Sequence, residues 1–246
     1  MAYSRKTTAQ YYDCDCNNRL KLSAATRYMQ QTSSEQLAVI DMSVEKLFAE
    51  GFVFLLSKTN ARVHRMPLCS EELVIATTPV ETRGPRFVRE FTIESPSGER
   101  LISALTLWLL VDPGTHRILR PQAFPYPLPF TPSILDGAIE DTKILKAQEY
   151  RNPPLEVPVL YSYIDVNGHV NNSYYTDFSL NALPYDLVTS RELDTFAVNF
   201  TAEARPGDTI HICSEKISPD SYLMSGKNGS AACFEAMATF LPSKNI

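Results

Sequence analysis

Asp165-Val166-Asn167-Gly168-His169-Val170-Asn171-Asn172 puts a carboxylate, an amide and an imidazole within eight residues, ahead of a helical pattern. Gly168 lets the backbone turn sharply or approach a ligand closely. Asn171 or Asn172 is a good N-cap for the following segment. A helix N-terminus also presents free N–H groups suited to developing negative charge. The stretch has a faint copy, Asp15-Cys16-Asn17-Asn18-Arg19-Leu20, set 150 positions upstream (165 − 15 = 150). Asp15 matches Asp165, Asn17 matches Asn167, and Arg19 stands where His169 stands. The register persists in the next segments. Ala25, Tyr28, Met29 and Thr32 match Tyr175, Phe178, Ser179 and Ala182, each set spaced as one face of a helix. His64-Arg65-Met66-Pro67 further resembles Glu203-Ala204-Arg205-Pro206. Two divergent copies of one module are expected, with the histidine only in the second.

Working outward, each copy reads as a helix followed by strands. Ser23 is placed to cap a helix running to Ile40, with a short second helix over Ser43 to Glu50. Strand patterns cover Phe52 to Val63, Leu73 to Glu81, Arg86 to Glu94 and Leu101 to Val111, the last apolar enough for a central strand. Residues 112 to 160 hold nine of the 17 prolines and read as an extended linker, with a helix expected at Asp136 to Gln148. The second copy gives a helix over Asn172 to Leu183. Its strands are Thr195 to Glu203, Thr209 to Ile217, Tyr222 to Gly226 and Ala231 to Leu241. The fold class expected is α+β: two tandem hotdog modules, each a long helix on an antiparallel sheet. The expected domains are 1–120, a proline-rich linker 121–158, and 159–246.

Composition narrows the function. A net charge of −5 disfavours nucleic acid, which wants a basic footprint. No apolar run reaches the roughly 18 residues a membrane span needs. Met1 to Gln10 is polar and lacks the apolar core of a signal peptide. Five cysteines with no CxxC spacing fit free thiols in a reducing cytoplasm. Four scattered histidines give no metal-ligand spacing, and neither a G-x-S-x-G elbow nor a Gly-rich phosphate loop is present. No metal or cofactor is expected.

Asp165 alone could be an Asx-turn carboxylate, and His169 alone a half-buried structural histidine. Paired at i, i+4 around an amide on a turn entering a helix, they read as proton-transfer groups. Glu203 follows an apolar strand and is either an exposed strand-end residue or a carboxylate in a partly apolar cleft. Cys213 and Cys233 fall in strand patterns as small buried hydrophobes. Cys14 and Cys16 lie in the copy without the histidine.

These motifs, in this order over most of the chain, resemble the acyl-acyl-carrier-protein thioesterases, tandem-hotdog enzymes of plastids and bacteria. The most specific match is D-x-N-x-H-V-N-N at Asp165 to Asn172. A glutamate follows the histidine at a fixed interval in that family, and Glu203 stands 34 residues after His169 (203 − 169 = 34). Plant members carry a cysteine next; here Ala204 occupies that place, which favours carboxylate-activated water over a cysteine nucleophile. The resemblance implies hydrolysis of a fatty acyl thioester carried on the phosphopantetheine of acyl carrier protein. Asp165, His169 and Glu203 would share base and proton-relay work, and Asn167 would orient water or thioester. Backbone N–H groups at Gly168 and His169 would hold the oxyanion. Met29 would touch an acyl channel in the N-terminal module, and a homodimer is compatible with this reading. A docking surface for the acidic carrier protein is expected at Arg83, Arg86 and Arg89 or at Lys143, Lys146 and Arg151. Three alternatives stand beside it: an acyl-CoA thioesterase, a non-catalytic acyl-binding module, and an R-specific enoyl hydratase of hotdog type. The hydratase pattern spaces its His five residues after the Asp; here the offset is four.

Overall fold

The computed structural model describes residues 2–137, 139, 141–144 and 153–242. The chain divides into two compact units, Met1–Glu140 and Asp141–Ile246. In the first, β1 (Tyr3–Thr8) leads through a 3-10 turn at Tyr11–Asp13 to α1 (Leu22–Val39) and α2 (Val44–Ala49). Then come β2 (Val53–Val63), β3 (Glu72–Arg83), β4 (Arg86–Glu94), β5 (Arg100–Asp112) and the short β6 (Arg117–Leu119). The antiparallel sheet runs β1-β3-β4-β5-β2, with β6 on β5. The second unit holds β7 (Leu155–Pro158), a 3-10 turn at Tyr161–Tyr163, α3 (Tyr174–Asn181) and α4 (Tyr185–Ser190). Its strands β8 (Leu193–Phe200), β9 (Thr209–Lys216), β10 (Ser221–Asn228) and β11 (Ala231–Phe240) follow. Here the order is β7-β9-β10-β11-β8. Read in chain order within each unit, the two strand sequences are the same permutation. The 150-residue offset therefore reflects one architecture built twice.

Each helix sits where the periodicity puts it, with different ends. Ala25, Met29 and Thr32 of α1 are buried, as are Tyr175, Phe178 and Ser179 of α3. Lys21, not Ser23, precedes the first turn of α1; Ser23 lies within the helix, fully buried, its hydroxyl without a partner. Ser43 does cap α2, accepting from the Lys46 N–H. The second module lacks one long helix: Pro184 supplies no N–H and φ near −60°, so the chain breaks there and restarts as α4. Two edge strands escape the sequence patterns, β1 for its polar alternation and β7 for its prolines. Proline is tolerated at a sheet edge, and β7 pairs only with β9. Described residues of the expected linker helix, 136, 137, 139 and 141–144, are not helical; 145–148 lie outside the described residues.

The core of the first unit gathers Phe87, Leu110, Phe124, Met42 and Leu47, joined by edge-to-face rings of Phe54, Phe87 and Phe124. β5 is buried nearly end to end from Leu101 to Leu107, as a central strand should be. In the second unit the Tyr175 ring of α3 meets Phe178, Phe200 and Phe234, fixing α3 on the sheet. That contact positions the helix start, just after the Asp165–His169 loop.

Candidate active site

The loop before each helix is held by the same hydrogen bonds. In the second unit the Asp165 N–H donates to the His169 carbonyl, the Gly168 N–H to the Asp165 carbonyl, and the Asn167 N–H to Asp165 Oδ1 at 2.8 Å. In the first unit the Asp15 N–H donates to the Arg19 carbonyl, the Asn18 N–H to the Asp15 carbonyl, and the Asn17 N–H to Asp15 Oδ1 at 2.8 Å. Isolated bridges Ile164–Val170 and Cys14–Leu20 close both loops. The turn needs a left-handed residue at its fourth position. Gly168 supplies it at φ +79° and Asn18 at φ +62°, the residue types that tolerate it most readily.

The loops differ in what they leave available. Arg19 donates Nε to Asp15 Oδ2 at 3.1 Å and Nη2 at 3.0 Å, closing an ion pair on that carboxylate. At Asp165 the corresponding residue is His169, whose Nδ1 lies 4.0 Å from Oδ1. The Oδ2 atom accepts from Asn171 Nδ2 at a long 3.4 Å. On the other side, His169 Nε2 stands 3.7 Å from Glu203 Oε1. One imidazole is thus flanked by two carboxylates, close enough for ion pairing but beyond direct hydrogen-bond length. Such gaps are common before substrate tightens a site.

Glu203 reaches this place because the Val170 N–H donates to the Ala204 carbonyl at 2.9 Å, fastening the segment after β8 to the loop. Arg205 Nη2 holds the outer Glu203 oxygen at 3.1 Å. The Glu203 side chain is 44% exposed, so the apolar cleft weighed for it is not its surroundings. In the first unit the Leu20 N–H donates instead to the Pro67 carbonyl, which puts Met66 opposite Glu203. The sequence comparison had aligned Pro67 with Pro206; the hydrogen bonds shift that register by two. The first copy therefore lacks both the histidine and the second carboxylate.

The N-cap of α3 is Ser173, without a side-chain cap bond, not Asn171 or Asn172. Asn171 instead accepts from the Ser173 N–H at 3.0 Å in the turn before the helix, while its amide touches Asp165. One residue thus ties the carboxylate to the start of α3. Tyr175, visible in the sequence only as part of a helix face, meets the Ala204 backbone, and burial chiefly raises its phenol pKa. The Gly168 N–H, assigned to the oxyanion, is engaged within its turn. Met29 is buried in α1, one turn before Ser33. Ser33 helps line a small pocket of about 50 Å³, partly open to solvent, with Leu37, Phe54, Phe87, Trp108, Leu128 and Arg89.

Arg89 corrects the first basic cluster. Arg86 and Arg89 are three apart on one strand and fall on opposite faces, and Arg89 is buried. Arg83 pairs with Glu81. In the second cluster Lys146 and Arg151 lie outside the described residues. Cys233 is buried and its thiol pKa is pushed up by that burial, the opposite of a nucleophile's need. Among the described residues there is no group of ligands that could hold a metal, and no helix is long and apolar enough to cross a membrane.

Two modules of helix on antiparallel sheet, one with an Asp–His–Glu set at its helix start, define a tandem hotdog protein. The chain belongs to the acyl-ACP thioesterase family: the model of that family's N-terminal domain matches residues 1–122 and that of its C-terminal domain residues 146–236. It is 18% identical over 218 residues to the palmitoyl-acyl carrier protein thioesterase of Cuphea hookeriana chloroplasts, covering 82% of this chain and 52% of that protein. The chain thus spans about half the length of that plant relative. Its fold is similar to an acyl-ACP thioesterase from Bacteroides thetaiotaomicron, with TM-score 0.84, 18% identity and 98% of each chain covered. It is also similar to the 12:0-ACP thioesterase of Umbellularia californica, with TM-score 0.82, 15% identity and 98% of each chain covered.

Proposed function

We propose that the protein hydrolyses fatty acyl thioesters of acyl carrier protein, releasing free fatty acid. The observation that carries this is His169 held between Asp165 and Glu203 in the second copy, against the closed Asp15–Arg19 pair in the first. A thioester carbonyl needs an attacking water deprotonated, its oxyanion held and its thiolate protonated. His169 takes the water's proton and returns it to the departing phosphopantetheine sulfur. Asp165 and Glu203 stabilise the imidazolium while it lasts, and general-base help of this kind contributes roughly 10²–10⁴-fold. Asn167, exposed and with a free side-chain amide among the described residues, orients water or thioester. With the Gly168 N–H engaged, the His169 N–H is the remaining backbone donor for the oxyanion. A preorganised donor of this kind is worth on the order of 3 kcal/mol.

The acyl chain lies in the first unit, where the apolar pocket beside α1 has the composition of a lipid site. Five free thiols suit a cytoplasmic setting. A homodimer is compatible with this chemistry. The test is a panel of acyl carrier proteins loaded with chains of different length, with released acid identified by mass. Free acid from a limited range of lengths is expected. Acyl-CoA turned over faster than every carrier-bound chain would move the substrate class, and no release at all would remove the reading. On the same panel Met29→Trp is expected to shift the preferred length toward shorter chains at little cost to thioester chemistry. An unchanged profile would take Met29 out of the channel.

A further inference from the structure

Among the described residues Arg89 is the one charged group lining its pocket, and the hydrolytic reading leaves it unused. It projects from β4 into a wall otherwise made mostly of Leu37, Phe54, Phe87, Trp108 and Leu128. The residue is 7% exposed. Its Nη1 donates to Gln36 Oε1 and, at 3.0 Å, to Thr77 Oγ1, both neutral acceptors. Among the described residues no carboxylate pairs with it, and Nε and Nη2 have no hydrogen-bond partner. A desolvated charge is costly unless paired, and burial pulls this guanidinium down to about 10, still charged at neutral pH. The two unused nitrogens form the side-on edge of the guanidinium, the edge that accepts a carboxylate through two parallel hydrogen bonds.

We propose that this pocket binds an apolar chain ending in a carboxylate, with the carboxylate seated on Nε and Nη2 of Arg89. The apolar wall takes the methylenes, and the ligand supplies the counter-charge that the protein withholds. A methyl-ended chain in the same pocket fills the apolar wall but brings no counter-charge to the guanidinium, so a chain ending in a carboxylate is held more tightly. Two sources offer this chemistry: the free fatty acid that the proposed reaction releases, and an acyl thioester whose far end carries a carboxylate. Only the choice of a long-chain ligand rests on the proposed hydrolase function.

Trp108 is the single tryptophan of the chain and lines the same pocket, so its fluorescence reports occupancy directly. The full-length protein is titrated with dodecanoate and with dodecan-1-ol, each below its aggregation limit. Dodecanoate is expected to bind at least about tenfold more tightly, as a charge-assisted hydrogen bond requires. Arg89→Met is expected to erase that preference and Arg89→Lys to keep part of it, with native circular dichroism in both. Equal affinity for acid and alcohol in the unaltered protein would overturn the proposal, with no need for either variant to fold. So would a preference that survives Arg89→Met in a folded protein. Comparing dodecanedioyl and dodecanoyl thioesters then separates the sources. A lower KM for the dodecanedioyl thioester assigns the carboxylate to the substrate's far end. An unchanged KM with competitive inhibition by dodecanoate assigns it to the released acid. Dodecanoate bound with this preference but no thioester hydrolysed would leave the carboxylate site standing and remove the hydrolase.

Discussion

His169→Ala is expected to keep the fold and to lower kcat for carrier-protein thioesters by roughly 10²–10⁴-fold, with a small change in KM. The imidazole is part-buried and its ring hydrogen-bonds at most weakly, to the Val170 carbonyl at 3.4 Å, so its removal costs little stability. What disappears is the imidazole that lies within 4.0 Å of both carboxylates. Neither carboxylate can replace it, because Glu203 is held on one oxygen by Arg205 and Asp165 is turned into its own loop. Combining His169→Ala with Glu203→Gln should cost much less than the sum of the two losses, because a set acting on one proton fails as a unit. Circular dichroism and stopped-time release of acid from dodecanoyl carrier protein check this. Loss of KM alone, or additive losses in the double variant, would count against shared proton transfer.

The second large effect is on stability. A Cβ added at Gly226 would stand 2.1 Å from Phe234 Cε1 and 2.9 Å from Ile210 Cγ2. Both neighbours are fully buried, and Phe234 carries the Tyr175 ring that seats α3. Neither can swing to solvent, so Gly226→Ala must distort β10 next to its bulge at Lys227. Overpacking of this kind costs about 1–3 kcal/mol, and this contact belongs at the upper end. At roughly 2–4 °C per kcal/mol for a chain this size, the melting temperature should fall by about 5–10 °C. A thermal melt within a degree of the parent would mean that Phe234 has room to move.

Much of this architecture was legible because chemistry and repetition coincide in one motif. Asp15 and Asp165 each nucleate a turn through their own side chains, so the loop is written in local sequence and recurs with its hydrogen bonds intact. The helix faces were legible for the same reason, since burial at i, i+3 and i+4 leaves a pattern in α1 and α3 alike. Edge strands leave a weaker one. β1 alternates polar and part-buried residues, and β7 hides among prolines that only an edge tolerates. The break at Pro184 was visible as an end but not as a restart. At the site, the approach of Glu203 to His169 depends on a backbone bond from Val170 to Ala204 that no residue type announces. Arg89 resembled a surface charge because a lone arginine on a strand has no sequence mark for its face. β4 is buried on both faces from Phe87 to Ile93, so no polar–apolar alternation marks which way Arg89 points.

The asymmetry between the two copies is the central claim, and one paired measurement addresses it. Asp165→Asn and Asp15→Asn make the same change at equivalent positions in the two loops, and both leave the backbone turn able to form. Turnover of dodecanoyl carrier protein is measured for each at a temperature where both are folded. Asp165→Asn should lose at least about 100-fold in kcat, while Asp15→Asn should stay within a few-fold of the parent. Equal losses, or a larger loss from Asp15→Asn, would contradict a single hydrolytic centre at the start of α3.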